Sequence, residues 1–140
     1  MNKAGWHDGI LSVHIHEKWG LADMAVLECL MHGANGIWAS ICEEGAALGH
    51  ACSIVTLMNL VRLGNTKVKD NYNLAKFREA AISVTKITTG ESPHPKKPVY
   101  GERALDIVFG SGGTYLHIIW IHFLEFEILY ENLPFSIRLI

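Results

Sequence analysis

A chain of 140 residues ordinarily buries one core, so a single domain or part of one is expected. Its 49% apolar and 19% charged residues are unlike a disordered chain, and a formal net charge of -2 without a dense basic block excludes the electrostatic footprint of a nucleic-acid binder. The most apolar run, residues 115–124, falls well short of the roughly 20 residues of a membrane-spanning helix, and Glu125 and Glu127 follow it, so no membrane partner is expected. Cys29, Cys42 and Cys52 form no CxxC pair and no secretory signal opens the chain. A reducing compartment, the cytoplasm or an organelle matrix, is therefore expected.

Residues 10–16, I-L-S-V-H-I-H, are β-branched and bounded by Gly9 and Gly20, the pattern of a buried strand. Leu21, Met24, Ala25, Leu27 and Leu30 then recur at helical spacing, predicting a helix over 21–31 that stops at Gly33. Residues 36–42, G-I-W-A-S-I-C, predict a second strand. Ile54, Leu57, Met58 and Val61 predict a second helix over 53–63, closed by Gly64-Asn65. Strand, helix, strand, helix with short connections implies parallel strands and crossover helices, the repeating unit of a doubly wound sheet or a β/α barrel. Two strands complete neither, so further strands, or a partner, are expected to cover their edges.

A third helix is predicted over 71–87 from the stripe Leu74, Phe77, Ala81 and Val84. Residues 88–98 hold three of the four prolines and read as a linker or surface loop. Structured patterning resumes over 99–109. Beyond the glycine run 110–113 the composition changes abruptly, and the apolar tail 111–140 reads equally as an edge strand pair, a buried helix or sequence foreign to the original fold. The organisation expected is a strand–helix portion at 1–65, a helical portion at 66–110 and the tail.

Chemistry concentrates in the first strand. Residues two apart in a strand share a face, so His14 and His16 project together from its carboxyl end, where β/α folds place their sites. Two imidazoles aimed at one point are half of a metal centre, and histidine is the commonest nitrogen ligand of transition ions. His50, in the loop entering the second helix, stands at the next strand end as a third candidate ligand. The alternative is that an alternating histidine pair is hydrogen-bonded within a core. His7, His32, His94, His117 and His122 lie in unrelated contexts and are expected at the surface or in packing. Glu43 and Glu44 are read as solvated loop residues, and Cys42 as a buried strand residue.

The segment H-I-H-E-K-W-G-L-A at 14–22, with Gly33-Ala34 and G-A-A-L-G-H-A at 45–51, resembles the last two strands of the pyruvate carboxyltransferase-like metal-dependent barrels. This superfamily contains 3-hydroxy-3-methylglutaryl-CoA lyase and the isopropylmalate, homocitrate and citramalate synthases. Its pattern is H-x-H-[DN]-x-x-G, followed after the next strand by a loop like G-E-R-A-G-N. His14, His16 and Gly20 match by identity, and Gly45, Gly49 and Ala51 fit the second motif. Glu17 stands for Asp or Asn, Lys18 for Asp or Thr, Ala46-Ala47 for Glu-Arg, and His50 for the ligating asparagine. P-V-Y-G-E-R-A at 98–104 resembles a stretch after the barrel in the synthase branch, and the likeness ends near Leu105.

The resemblance implies an α/β fold, the last two β/α units of a TIM (β/α)8 barrel followed by a helical post-barrel segment. It implies a divalent metal ion (Mg, Mn, Co or Zn) on His14, His16 and His50, with Lewis-acid cleavage or Claisen-type condensation of a carbon–carbon bond in an acyl-CoA or 2-oxo acid substrate. Glu43 or Glu44 would be at most an orienting group behind the ligands. Catalytic and substrate-binding residues are unassigned. The Asp-Arg-Glu motif of the family's first strand has no counterpart within residues 1–9, so the chain alone is expected to be inactive and to associate with itself or with missing barrel segments. Two other readings stand beside it: a non-enzymatic α/β interaction module with structural histidines, and a fragment of a biotin-type carboxyltransferase barrel.

Overall fold

The computed structural model describes residue 5 and residues 7–104, together with the strand backbone of 107–109 and 137–139. The first strand, β1 (Ser12–Val13), runs parallel to β2 (Gly36–Ile37), with Ser12 opposite Gly36 and Val13 opposite Ile37. The helix α1 (Ala22–Met31) makes the crossover that parallel pairing requires. Both strands are shorter than residues 10–16 and 36–42, because the extended chain changes partner. Leu11 and Val13 accept hydrogen bonds from Asn35 and Trp38 at 2.8 Å each, whereas the Ile15 carbonyl accepts from Ala51 N at 3.2 Å and Glu17 N donates to the Gly49 carbonyl at 2.8 Å. The end of the first extended segment is therefore laid against the loop after β2. Isolated bridges His16–His50 and Ser40–Cys52 mark the change.

The two faces of this pair differ. Ile15, Ile37 and Ala39 pack with Ala22, Val26 and Ala51. Ser12, His14, His16 and Trp38 lie on the other side, where His14, His16 and Trp38 are exposed. One face is thus covered by helix and the other carries the histidines, as period-2 alternation dictates.

The entry to α1 has no side-chain cap from Leu21, and the Glu17 carboxylate supplies the acceptors instead. It takes the amides of Gly20, Leu21 (3.3 Å) and Ala22 (3.0 Å), three donors that a helix start leaves without partners. These amides hold the carboxyl below its ordinary range, the Ala22 amide most of all. Within α1, Asp23 turns toward the next helix, and its Oδ1 accepts the Cys52 amide at 2.6 Å, at the entry of α2 (Ser53–Arg62). Desolvation raises the Asp23 carboxyl above its usual value against the pull of that amide.

The sign follows from linkage: the folded chain binds the Asp23 proton more tightly than the unfolded chain, so this group's contribution to stability increases as pH falls through its raised folded value. Asp23→Asn keeps the acceptor and removes the buried charge, and is expected to be neutral or stabilising at pH 7. Asp23→Ala orphans the Cys52 amide and is expected to cost about 1–3 kcal/mol. Urea midpoints of the two variants separate these outcomes.

The core is built on α2, which buries Ile54, Val55, Thr56, Leu57, Met58 and Val61. Packed with it are Cys42, Val68, Leu74, Ala81 and Tyr100, so residues beyond 66 share one core with the strand–helix portion. The short helix α3 (Lys67–Asn71) was not expected, since five residues present too little periodicity to read. The third predicted helix begins later, as α4 (Leu74–Thr89). Asn73 supplies the reason: its side chain accepts the Lys76 amide at 3.0 Å, a strong N-cap, and Gly90 at φ 78° ends the helix in the left-handed conformation.

Residues 107–109 form β3 (Ile107–Phe109), parallel to β4 (Ile137–Leu139). The three readings of the tail, and those of His117 and His122, fall mainly outside the described residues. Among the described residues no helix is long and apolar enough to cross a membrane.

Candidate metal centre

His14 and His16 stand at the end of β1, and the switch of pairing from β2 to residues 49–51 lays His50 directly beside His16. The three rings form a compact group with centroids 4.4, 4.5 and 4.8 Å apart. One ligand atom from each lies within 4.8 Å of the others. All three residues of the sequence expectation are therefore in one place.

Their hydrogen bonds define what each ring offers. Nδ1 of His14 lies 2.8 Å from the Trp38 carbonyl, and Nδ1 of His16 lies 3.2 Å from the Ala46 carbonyl. A carbonyl only accepts, so each Nδ1 carries the proton and donates it, leaving Nε2 as a bare lone pair in the neutral ring. Those two Nε2 atoms face each other at 3.1 Å. Two lone pairs at that separation repel unless a proton or a metal cation lies between them. A tetrahedral ion bound at about 2.0–2.1 Å would place its nitrogens about 3.3 Å apart, close to this spacing. The spacing of the His14 and His16 nitrogens fits two ligands of one divalent ion, and a ligand atom of His50 lies within 4.8 Å of them.

His50 completes the group from a closely fitted seat. Gly45 lies under its ring, and a Cβ at position 45 would overlap the imidazole. Desolvation holds the ring below the ordinary imidazole range, reinforced by His16 and then His14, while the Glu44 carbonyl and carboxylate pull the other way. His50 is therefore biased toward the neutral form a metal needs. The backbone is equally constrained: Gly49 has φ 94°, and its Cα faces the Glu43 carbonyl so closely that a side chain there would land on it. Glu43 and Ala47 take left-handed φ of 72° and 62°, an arrangement non-glycine residues adopt only when surroundings compel it.

The glutamates of this loop depart from expectation. Rather than being solvated, Glu43 forms an ion pair with Lys97, and both side chains are 28% exposed. The Glu44 carboxylate accepts the Cys42 amide at 3.0 Å and the Cys42 thiol, which Thr85 Oγ1 approaches at 3.3 Å. Cys42 is buried as expected, and burial followed by the Glu44 contact pushes its thiol up to about 12, far from the thiolate a nucleophile requires. Of the histidines expected at the surface or in packing, His7, His32 and His94 are exposed.

Sequence reasoning missed the two carbonyls of Trp38 and Ala46, because backbone acceptors leave no residue-type signal. The glycine seat was partly visible, since Gly45 and Gly49 precede His50 at a spacing the barrel motif shares.

No protein-family model matches the chain, and no curated protein resembles it closely enough to count as a relative.

Proposed function

We propose that the chain carries part of the metal centre of a divalent-metal-dependent enzyme that cleaves or forms a carbon–carbon bond in an acyl-CoA or 2-oxo acid. His14, His16 and His50 are the protein ligands. The observation that carries the metal is the 3.1 Å approach of two imidazole lone pairs, each turned inward by a carbonyl behind it. Such partners on the far ring nitrogen are the usual supports of metal-ligating histidines. The reaction class rests on the H-x-H-x-x-x-G resemblance. A barrel origin is supported by the parallel crossover unit and by a site at the carboxyl end of its first strand.

In this reading the ion supplies Lewis-acid polarisation of a substrate carbonyl. The chain's own residues orient and insulate. Trp38 and Ala46 fix the tautomers, Glu17 fixes the turn between His16 and α1, and Gly45 admits the His50 ring. Three neutral nitrogens favour zinc or cobalt over magnesium or manganese, which prefer oxygen donors. The exposed face bearing Ser12, His14, His16 and Trp38 is where the remaining barrel strands would close over the site. Trp38, 74% exposed beside His14, suits such a covering.

Titrating cobalt into the purified chain tests the metal reading. Wild type is expected to bind one ion with the intense visible absorption of a tetrahedral nitrogen site, and His14→Ala and His16→Ala are each expected to lose at least about tenfold in affinity. Indistinguishable binding by all three proteins would end it.

A further inference from the structure

Resting on the metal reading above, we propose that Lys97 is a positioning residue for the histidine cluster: through its ion pair with Glu43 it holds the loop 43–49 in the one conformation that aims His16 and His50 at a common point. The helical portion beyond residue 66 thereby belongs to the site.

The observations form a continuous chain of contacts. The Arg78 guanidinium, on α4, donates from Nε to the Val99 carbonyl at 3.2 Å and from Nη2 to the Gly101 carbonyl at 3.4 Å. Residues 94–101 form a tight turn, with Lys97 N donating to the His94 carbonyl at 2.8 Å and Gly101 N to the Lys97 carbonyl at 2.9 Å. Gly101 sits so close to Pro95 and Lys97 that no Cβ fits there. This turn presents two side chains to the segment that leads from Cys42 to His50. Tyr100, 2% exposed, points its hydroxyl at the Cys42 carbonyl at 3.5 Å, and Lys97 pairs with the Glu43 carboxylate.

Glu43 is the residue whose restraint matters most. It stands at left-handed φ, and its carbonyl is the atom against which Gly49 closes the loop. Three residues on, the Ala46 carbonyl holds His16 and also accepts the Gly49 amide at 3.0 Å. An isolated exposed ion pair contributes little, but this one is half-buried and restrains a backbone that would otherwise relax out of a sparsely populated region. The Nδ1 of His14 is held differently, by the Trp38 carbonyl next to β2, and this ring meets the loop only through the rings of His16 and His50. Loss of Lys97 should therefore act on His16 and His50 directly and leave the tautomer of His14, fixed by Trp38, in place.

That asymmetry is the test. In the metal-free full chain, long-range nitrogen–proton NMR of the imidazoles reports each ring's tautomer. Lys97→Met is expected to erode the Nδ1–H preference of His16 and shift the His50 resonances, leaving the Nδ1–H tautomer of His14 unchanged, and to weaken cobalt binding about tenfold with a changed visible spectrum. The charge exchange Glu43→Lys with Lys97→Glu should restore both. Unchanged His16 and His50 in Lys97→Met would overturn the proposal, as would equal disturbance of all three rings without rescue by the exchange. If the tautomers respond as stated while wild type binds no cobalt, positioning stands and the metal reading falls.

Discussion

Gly49→Ala is expected to destabilise the chain by about 2–3 kcal/mol and to remove most of its cobalt affinity in the same step. Two costs add at this position. An L-residue at φ 94° leaves its preferred basins, a penalty of about 1–2 kcal/mol. The new Cβ would also fall on the Glu43 carbonyl, a backbone atom that cannot rotate away as a side chain would. Relief requires residues 43–49 to open, and that movement withdraws the Ala46 carbonyl from His16 and the Gly45 seat from His50. Gly64→Ala is the control. Gly64 has nearly the same dihedral, φ 96°, but open space around it, so only the conformational cost applies and cobalt binding should persist. Thermal unfolding with and without cobalt separates the two; equal effects of the two substitutions on metal affinity would show that the close approach is irrelevant to the site.

The second large effect is a pH-dependent stabilisation by metal. A ligand that binds only the folded chain stabilises it by RT ln(1 + [L]/Kd), about 2.7 kcal/mol when cobalt is at 100 times its Kd. Imidazoles ligate only when neutral, so protons compete with the ion. His50 is already biased toward neutrality by desolvation and by His16 and His14, which extends its availability as a ligand below the ordinary imidazole range. Without metal, its lowered folded value means that the unfolded chain binds the His50 proton more tightly. Stability should therefore fall as pH drops through the window between the ordinary and the lowered value. Cobalt should raise the unfolding temperature at pH 7.5, add little at pH 5, and release protons on binding. His50→Asn should flatten the metal-free acid dependence while retaining a weaker, oxygen-supplemented site. A cobalt shift of the same size at both pH values would exclude imidazole ligation.

Much of the site was legible because alternation in a strand is a short-range rule. Knowing that residues 10–16 are extended is enough to put His14 and His16 on one face, and Gly45 and Gly49 before His50 fit the glycine pattern of the barrel motif. The helices at 21–31 and 53–63 were legible for the same reason, their apolar spacing being local. The strand ends were not legible. Residues 15–17 pair with 49–51 instead of continuing along β2, a choice made by which backbone groups come within reach once α1 has packed. The roles of Glu17, Glu43 and Glu44 escaped as well, because a carboxylate beside amides, a lysine or a thiol is indistinguishable in sequence from one in water.

Sequence by itself determined the strand–helix–strand–helix order, the shared face of His14 and His16, and the candidacy of His50, since each follows from periodicity or residue type within a few positions. Only the tertiary structure decided that the three rings meet, which nitrogens are left bare, and that Lys97, 47 to 83 residues distant along the chain from the three histidines, stands behind the loop that aims two of them. The physical reason is that tautomer choice and loop restraint depend on backbone carbonyls and ion pairs from distant segments, whose positions exist only once the core on α2 has brought those segments together.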